Sequence, residues 1–433
     1  MPQTLAGSQR IAARAAPRPR AGLLWTDWWF LAGVALAALL AVDPLGWELA
    51  SNTVARHLAL LVSMSAVAMA LLLRSALPGK VARARVRPLA DSLAVAWPLA
   101  LYAVMAVCGS AYARVVLGAD TTFLNYGMYA AMLFGAAAMV LQCGAPFALL
   151  RAYFAILLAA ALVMSAFLIA YAGKRQVYHE QIFLVIPMAA LFFAGNAPAP
   201  VRWGAAAFFL LMGWCSHKYT SYLVAALTAS YLAIFIWVPR LTRGDALGSL
   251  SAIYWSALGF LAAGAAAISY ALRGGSDQPT GNLEFRLHTY QAAWDRFLDS
   301  PLWGSFFARE ATEKFRLYDI GIARNVLPTH SDLLDLLANG GLLGFGLCAL
   351  GVLAIAAVAW RRLLRPALIG RAEAPYGHAL ALLSLAAIAT SAFNPILLQP
   401  PMAALAWGNL GMLLGLSLRA ESPLRSSAAS PRG

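Results

Sequence analysis

The sequence has 433 residues, of which 61% are hydrophobic and only 12% are charged, whereas water-soluble domains carry about 25% charged residues, so that class is excluded. The formal net charge of +14 comes mostly from arginine, and the positions of the arginines, given below, argue against a nucleic-acid-binding surface. The four cysteines lie in or beside apolar runs without any metal-binding spacing, so we interpret them as packing residues and expect no bound metal.

Apolar runs of about 20 residues recur along the chain, and this is the length at which a helix crosses a bilayer. The pattern predicts an all-α polytopic membrane protein of about twelve transmembrane helices. They are placed near residues 24–42, 57–73, 91–110, 123–142, 147–172, 182–195, 203–216, 221–238, 247–272, 333–359, 378–397 and 401–418. The sixth and seventh runs are short for a membrane span.

The helices divide the chain into five predicted regions. These are a basic N-terminus at 1–23, helices one to nine at 24–272, a long polar loop at 273–332, helices ten to twelve at 333–418, and a tail at 419–433. We interpret the first apolar run as an uncleaved helix with its basic flank in the cytoplasm.

The distribution of arginine orients this arrangement. With the N-terminus inside, the arginine-rich segments at 74–87 and 361–371 fall on the inner side, as the positive-inside rule requires. The long loop at 273–332 then lies on the outer side. We expect the tail to be cytoplasmic for the same reason.

The long loop contains a helical pattern of two faces. Leu287, Tyr290 and Trp294 belong to its apolar face, whereas Asp295 and Asp299 lie opposite. This predicts an amphipathic helix on the outer membrane surface. Arg286, at the edge of the apolar face, is interpreted either as an arginine that snorkels to the interface or as one that binds a phosphate through its planar fork.

The loop ends at a second candidate position, His330, where the tenth helix begins. Thr329 is the predicted N-cap of that helix, with Asp332 as its capping-box partner. His330 is either an exposed histidine at a helix start or a general base. The positive end of a helix disfavours imidazolium, so a neutral ring could accept a proton there.

Further cations fall on the outer side. Lys174 and Arg175 occupy one predicted turn, Lys218 occupies another, and Arg324 lies in the long loop. Each of them fits an ordinary polar loop. Together with Arg286 they predict a site for an anionic, lipid-linked substrate.

The order of these features resembles the O-antigen ligase and polymerase family. The residues that carry the resemblance are Arg286, the run Pro301-Leu302-Trp303-Gly304, and then His330, Leu334 and Gly340. It implies a cofactor-free, metal-independent glycosyltransferase of the bacterial inner membrane, with its site facing the periplasm and undecaprenyl-diphosphate glycan as donor.

The resemblance also implies roles for single residues. His330 would activate the acceptor hydroxyl and Arg286 would hold the diphosphate. Lys218 stands in a turn where members of the family usually carry arginine, so it keeps the charge but lacks the bidentate fork. The small residues from Gly340 to Gly346 would let the tenth helix pack closely against its neighbours.

Several activities remain open. Ligation of a finished glycan to lipid A-core is the first expectation, polymerisation of O-antigen repeat units is the second, and protein O-glycosylation is the third. A lipid-linked oligosaccharide flippase is the alternative from another class, and the scarcity of basic residues within the apolar runs argues against it. Expected partners are the lipid-linked donor, a lipid A-core or glycan acceptor, and membrane lipids, but not nucleic acid.

Overall fold

A computed structural model describes residues 22–43, 80–118, 124–172, 174, 177–178, 180–241, 280–307, 329–365, 368 and 371–420. Side chains are not described at 80–89, 124, 241, 280–285 and 287–288. The predicted helices 57–73 and 247–272 lie outside the described residues, as do the two termini. Within the described part of the chain the secondary structure is helical, and no strand occurs there.

The predicted helices that fall on described residues are all present. In chain order the elements are α1 Trp25–Val42, α2 Lys80–Val115, α3 Leu124–Gln142, α4 Pro146–Ala170, α5 Ile182–Phe193, α6 Ala199–Cys215, α7 Tyr219–Arg240, α8 Thr280–Asp299, α9 Asp332–Ala359, α10 Ala374–Ser391 and α11 Pro400–Arg419. By length and composition, seven could cross a membrane, namely α1, α2 from Ala90 onward, α4, α7, α9, α10 and α11. The chain is thus a multi-pass membrane protein.

Helix α11 forms the centre of the bundle, since its residues from Pro400 to Ser417 are all buried. Its glycines bring it close to α3. A Cβ added at Gly411 would lie 2.2 Å from the Leu133 carbonyl oxygen, and one at Gly415 would lie 2.7 Å from that of Ala137. Two glycines spaced by four thus form the contact face, because without side chains the helix backbones can approach closely.

One end of the bundle is held by arginines that bind carbonyl groups at helix ends. Arg240 donates to the carbonyl oxygens of Phe193 at 2.7 Å and Ala194 at 2.9 Å, just where α5 ends. Arg419 donates to those of Val140 at 2.9 Å and Cys143 at 2.8 Å, where α3 ends. The last carbonyls of a helix lack partners within it and carry partial negative charge, so a cation stabilises them.

The side chains of helix α8 differ in burial between its two faces. Thr289 and Ala293 are 2% and 5% exposed, whereas the large apolar side chains of Trp294 and Leu298 are 45% and 55% exposed. The helix is thus present, and Trp294 and Leu298 of its predicted apolar face lie outward, which is compatible with the predicted amphipathic helix at the membrane surface. At membrane depth the outward surface contacts lipid, so large apolar residues can lie outside while small and polar residues pack inside.

Helix α9 is broken at Gly341, where φ is 61° and ψ is −167°. The segment Pro301–Phe307, which follows α8, fills the break with backbone hydrogen bonds. The amides of Leu342 and Leu343 donate to the carbonyl oxygens of Pro301 at 2.8 Å and Leu302 at 3.0 Å, and the Phe307 amide donates to the Asn339 oxygen at 2.9 Å. Buried backbone groups need such partners, so this segment and the break in α9 form one unit.

The predicted close packing at Gly340–Gly346 is confirmed in part. A Cβ at Gly340 would lie 2.8 Å from the Phe307 ring, so this glycine leaves room for that side chain. Gly346 has no neighbour within 4 Å of an added Cβ among the described residues, and it makes no close contact. The break at Gly341 was not predicted.

Helix α10 ends at Ser391 instead of the predicted residue 397. Residues 394–399, here called the connecting segment, follow an irregular path before Pro400 begins α11. Asn394 precedes Pro395, and a residue before proline is displaced from the helical conformation. The connecting segment lies at the end of the bundle opposite to Arg240 and Arg419.

Candidate active site

His330 lies immediately outside α9, in a left-handed backbone conformation with φ of 59°. Its side chain is half-buried, and it stands between the buried residues Thr329 and Ser331. A non-glycine residue seldom adopts this conformation, which costs about 1–3 kcal/mol and is found mostly where surrounding structure enforces it. The orientation of His330 is thus imposed by its neighbours.

The cap of α9 differs from the predicted one. Ser331 is the N-cap, and its Oγ accepts a hydrogen bond from the Leu334 amide at 3.3 Å. Thr329, predicted for that role, instead accepts from the Ser331 amide through its Oγ1 at 3.1 Å. The left-handed turn at His330 moves the start of the helix two residues along the chain.

Asp332 is not a capping-box partner but a link to two other elements. Its carboxylate is 0% exposed. The Tyr126 hydroxyl of α3 donates to Oδ1 at 2.8 Å, and the Leu397 amide of the connecting segment donates to Oδ2 at 2.7 Å. Hydrogen bonds of a buried polar group are costly to lose, because no water is at hand to replace the missing partner. The start of α9 is therefore held on two sides.

The connecting segment joins several other helix starts. The Asn394 side chain donates to the Thr220 Oγ1 in the first turn of α7 at 3.0 Å. The Asn125 side chain of α3 donates to the Leu398 carbonyl oxygen at 3.2 Å, and the Gln399 amide group donates to the Glu180 carboxylate. The connecting segment thus holds α3, the start of α7 and Glu180 together next to the candidate site.

Arg286 approaches the same place from α8. The Thr289 hydroxyl, one turn further along α8, lies 3.0 Å from the Arg286 carbonyl oxygen and 3.5 Å from that of Thr329, next to His330. The Arg286 side chain is half-buried, and its charge acts on Tyr290, one turn further along α8. Burial raises the pKa of the Tyr290 hydroxyl, and the Arg286 guanidinium opposes that rise.

Lys218 is the N-cap residue of α7 and is half-buried. Its pKa is lowered, first by burial and then by the charge of Arg286, while the charge of Glu180 acts in the opposite direction. These influences act over short range in a protein. The two cations therefore share one region, with Glu180 beside them.

The structure brings together three of the predicted site residues, His330, Arg286 and Lys218. Lys174 is exposed, and within the described residues no contact joins its side chain to these three. Arg175 and Arg324 lie outside the described residues, so their proposed roles stay predictions. Among the described residues no group of three or more His, Cys, Asp or Glu side chains could hold a metal ion.

Several polar residues of this region are not among the predicted site residues. They are Glu180, Tyr290, Arg296, Gln399 and the connecting segment as a whole. Arg296 is half-buried on α8, and its charge acts on the buried carboxylate of Asp335 in α9. A break between helices could have been predicted here from the closely spaced prolines in Asn394-Pro395 and Gln399-Pro400-Pro401.

The arrangement suits a reaction at an anion. Two half-buried cations can stabilise negative charge more strongly than in water, because the surrounding dielectric constant is lower. A histidine held beside them, at the start of a helix, can exchange a proton with a bound substrate. Both functions are available within the part of the bundle opposite to Arg240 and Arg419.

Comparison with known families supports the resemblance drawn from the sequence. Residues 204–349 match the family model described as O-antigen ligase. The matched segment extends from α6 into α9 and contains Lys218, Arg286 and His330. Comparison with curated proteins finds no matching relative.

Proposed function

We propose that this chain, which carries the O-antigen ligase family pattern over residues 204–349, is a membrane glycosyltransferase. It moves a glycan from undecaprenyl diphosphate to an acceptor hydroxyl. The observation that carries the proposal is that His330, Arg286 and Lys218, which are far apart in sequence, lie at the same end of the bundle.

The proposed reaction needs a base and a stabilised leaving group. The acceptor oxygen attacks the anomeric carbon, the bond from that carbon to the phosphate oxygen breaks, and undecaprenyl diphosphate leaves with the electron pair. His330 takes the hydroxyl proton, while Arg286 and Lys218 offset the charge that develops on the diphosphate. Attack opposite to the leaving group inverts the anomeric centre.

Ligation to lipid A-core is the first proposal for the acceptor, and repeat-unit polymerisation is the second. A strain that lacks the gene is expected to lose capped lipopolysaccharide and to accumulate lipid-linked polymer, as seen in a glycolipid profile. Lipopolysaccharide that carries single-unit caps would instead assign polymerisation. An unchanged profile would contradict both.

The position of the cations favours a transferase over a flippase. Arg286 and Lys218 lie beside helix starts at one end of the bundle, whereas a flippase would place its cations in a cavity between helices. Transfer by the purified protein between a lipid-linked donor and an acceptor, with both in detergent on one side, separates the two classes. A flippase would form no new glycosidic bond in that assay.

The orientation of the bundle can be tested with fused reporters. Arg240 and Arg419 bind helix ends opposite to the site, and positive residues favour the cytoplasmic side. A reporter fused after Gly275 is therefore expected to be active only in the periplasm, and one fused after Ala372 only in the cytoplasm. The reverse result at either position would place the site on the wrong side for this function.

The cation pair predicts both a loss of activity and a pH dependence. Arg286→Ala is expected to lower kcat/KM by about 10²–10³-fold, because a charge-stabilising donor is lost.

The pKa of Lys218 is lowered, so its side chain loses its charge at a lower pH than the side chain of an ordinary lysine. As pH rises, kcat/KM should therefore begin to fall at that lower pH. In Lys218→Arg the charge persists and this alkaline limb should disappear.

Arg361→Ala is the matched control for the loss of an arginine. Arg361 is exposed, and its Nε donates to the Ala357 carbonyl oxygen of its own helix. It should retain normal kcat/KM. If Arg286→Ala were equally active at the same level of inserted protein, Arg286 would be an interfacial arginine and not a diphosphate ligand.

A further inference from the structure

We propose that Asp332 is a positioning residue that holds His330 in register with the Lys218 and Arg286 cation pair. The inference rests on the proposed function, because it assigns a role within the same site. Asp332 is proposed to contact neither substrate. It acts through the backbone that carries His330, two residues before it.

The geometry of the carboxylate carries the argument. Each of its oxygens accepts one hydrogen bond from a different element, Oδ1 from the Tyr126 hydroxyl at 2.8 Å and Oδ2 from the Leu397 amide at 2.7 Å. The residue is 0% exposed, so water cannot replace a lost partner without rearrangement. The start of α9 therefore cannot shift relative to α3 or the connecting segment without breaking one of these bonds.

The connecting segment, which contains Leu397, also contacts the start of the helix that Lys218 caps. Asn394, three residues earlier in the connecting segment, binds Thr220 at 3.0 Å, and Thr220 lies two residues after Lys218. On the other flank, the Thr289 hydroxyl lies between α8 and the carbonyl of Thr329. His330 is thus placed between two supports, one leading to Lys218 and the other to Arg286.

Such a link is expected to matter for the rate. A base must meet the acceptor hydroxyl while the cations meet the diphosphate, and a displacement of about 1 Å can lower the rate by about 10²-fold. Donor affinity depends mainly on the cations, which Asp332 does not touch. Loss of the link should therefore lower kcat while the KM for the donor changes little.

A pair of tyrosine variants provides the test. Tyr126 and Tyr153 are both buried, and the hydroxyl of each donates at 2.8 Å to a side-chain oxygen, that of Asp332 or that of Asn409. Tyr126→Phe and Tyr153→Phe thus remove the same chemical group from similar surroundings. Only the first is connected to the start of α9, since the Tyr153 bond joins α4 to α11.

We expect both variants to lower thermal stability to a similar extent. Tyr126→Phe and Asp332→Asn should lower kcat by about 10–100-fold, with the donor KM and the acid limb of the pH–rate profile unchanged. Tyr153→Phe should keep the wild-type kcat. If Tyr126→Phe also kept it, or if Tyr153→Phe lost as much, the role of Asp332 would be structural only.

Amide hydrogen exchange gives a readout that does not depend on activity. In Tyr126→Phe and Asp332→Asn, exchange should become faster for residues 329–331 and 394–399, and it should not change there in Tyr153→Phe. Unchanged exchange in the first two variants would overturn the proposal. If the wild-type protein transferred no glycan, the proposed function would fail, and the exchange result would decide by itself whether Asp332 fixes the His330 segment.

Discussion

Replacement of His330 by glutamine is expected to lower turnover by about 10²–10⁴-fold, with the donor still bound. An amide can form a hydrogen bond with the acceptor hydroxyl, but it cannot take up the proton. The rate of the wild-type protein should fall at acid pH as the histidine becomes protonated, and this acid limb should vanish in the variant. Initial rates with purified donor and acceptor across the pH range measure both effects.

The backbone at His330 calls for its own control. Since φ is 59° there, His330→Gly keeps the left-handed conformation at no steric cost. It should keep the backbone conformation of the wild-type protein and yet lack turnover. Equal amounts of inserted, folded protein in both would exclude a structural cause. His288→Ala, at another histidine of the same loop region, should remain active. Normal turnover by His330→Gln would show that His330 is not the base.

Replacement of Gly341 by alanine is expected to prevent correct folding. A φ of 61° with a ψ of −167° belongs to a region that essentially only glycine adopts. An added Cβ would also lie 2.5 Å from the Gly304 nitrogen and 2.5 Å from the Leu302 carbonyl oxygen. Both neighbours are backbone atoms, which cannot move away as the end of a side chain can. We therefore expect the free energy of unfolding to fall by about 4 kcal/mol or more.

Gly346→Ala is the matched control in the same helix. Apart from its chain neighbours and the adjacent backbone of its own helix, no described atom lies within 4 Å of its added Cβ, and alanine favours a helix over glycine by about 1 kcal/mol. This variant should be as stable as the wild-type protein or more so. Thermal unfolding in detergent compares the two. Equal stability of Gly341→Ala and Gly346→Ala would mean that the break in α9 is not required.

Sequence reasoning was most successful where the signal is local. The hydropathy of each apolar run predicts a helix because its backbone must be satisfied within the run itself when no water is present. The order of Arg286, the Pro301–Gly304 turn and His330 could also be recognised, because it is a property of the linear sequence. Lys218 was found as a charge in a short turn, and in the structure the charge of Arg286 contributes to the lowered pKa of Lys218.

The N-cap of α9 was predicted wrongly, because the local pattern fits two tertiary arrangements. For α8, the spacing of Tyr290, Trp294 and Leu298 defines an apolar face, but spacing alone cannot show how the helix packs on the bundle. Thr329 and Ser331 are both good N-cap residues, and the choice between them depends on the left-handed turn at His330. The residues on either side of that turn contact α8 through Thr329 and α3 through Asp332.

The amino-acid sequence by itself therefore determined the membrane class, most helix positions and the pair of residues proposed for catalysis. Only the tertiary structure decided how these residues meet. The bonds from Asp332 to Tyr126 and Leu397, and those from Leu342 and Leu343 to the turn after α8, join residues that are distant in sequence. Such partners have no periodicity along the chain, because each is selected by the packing of whole helices.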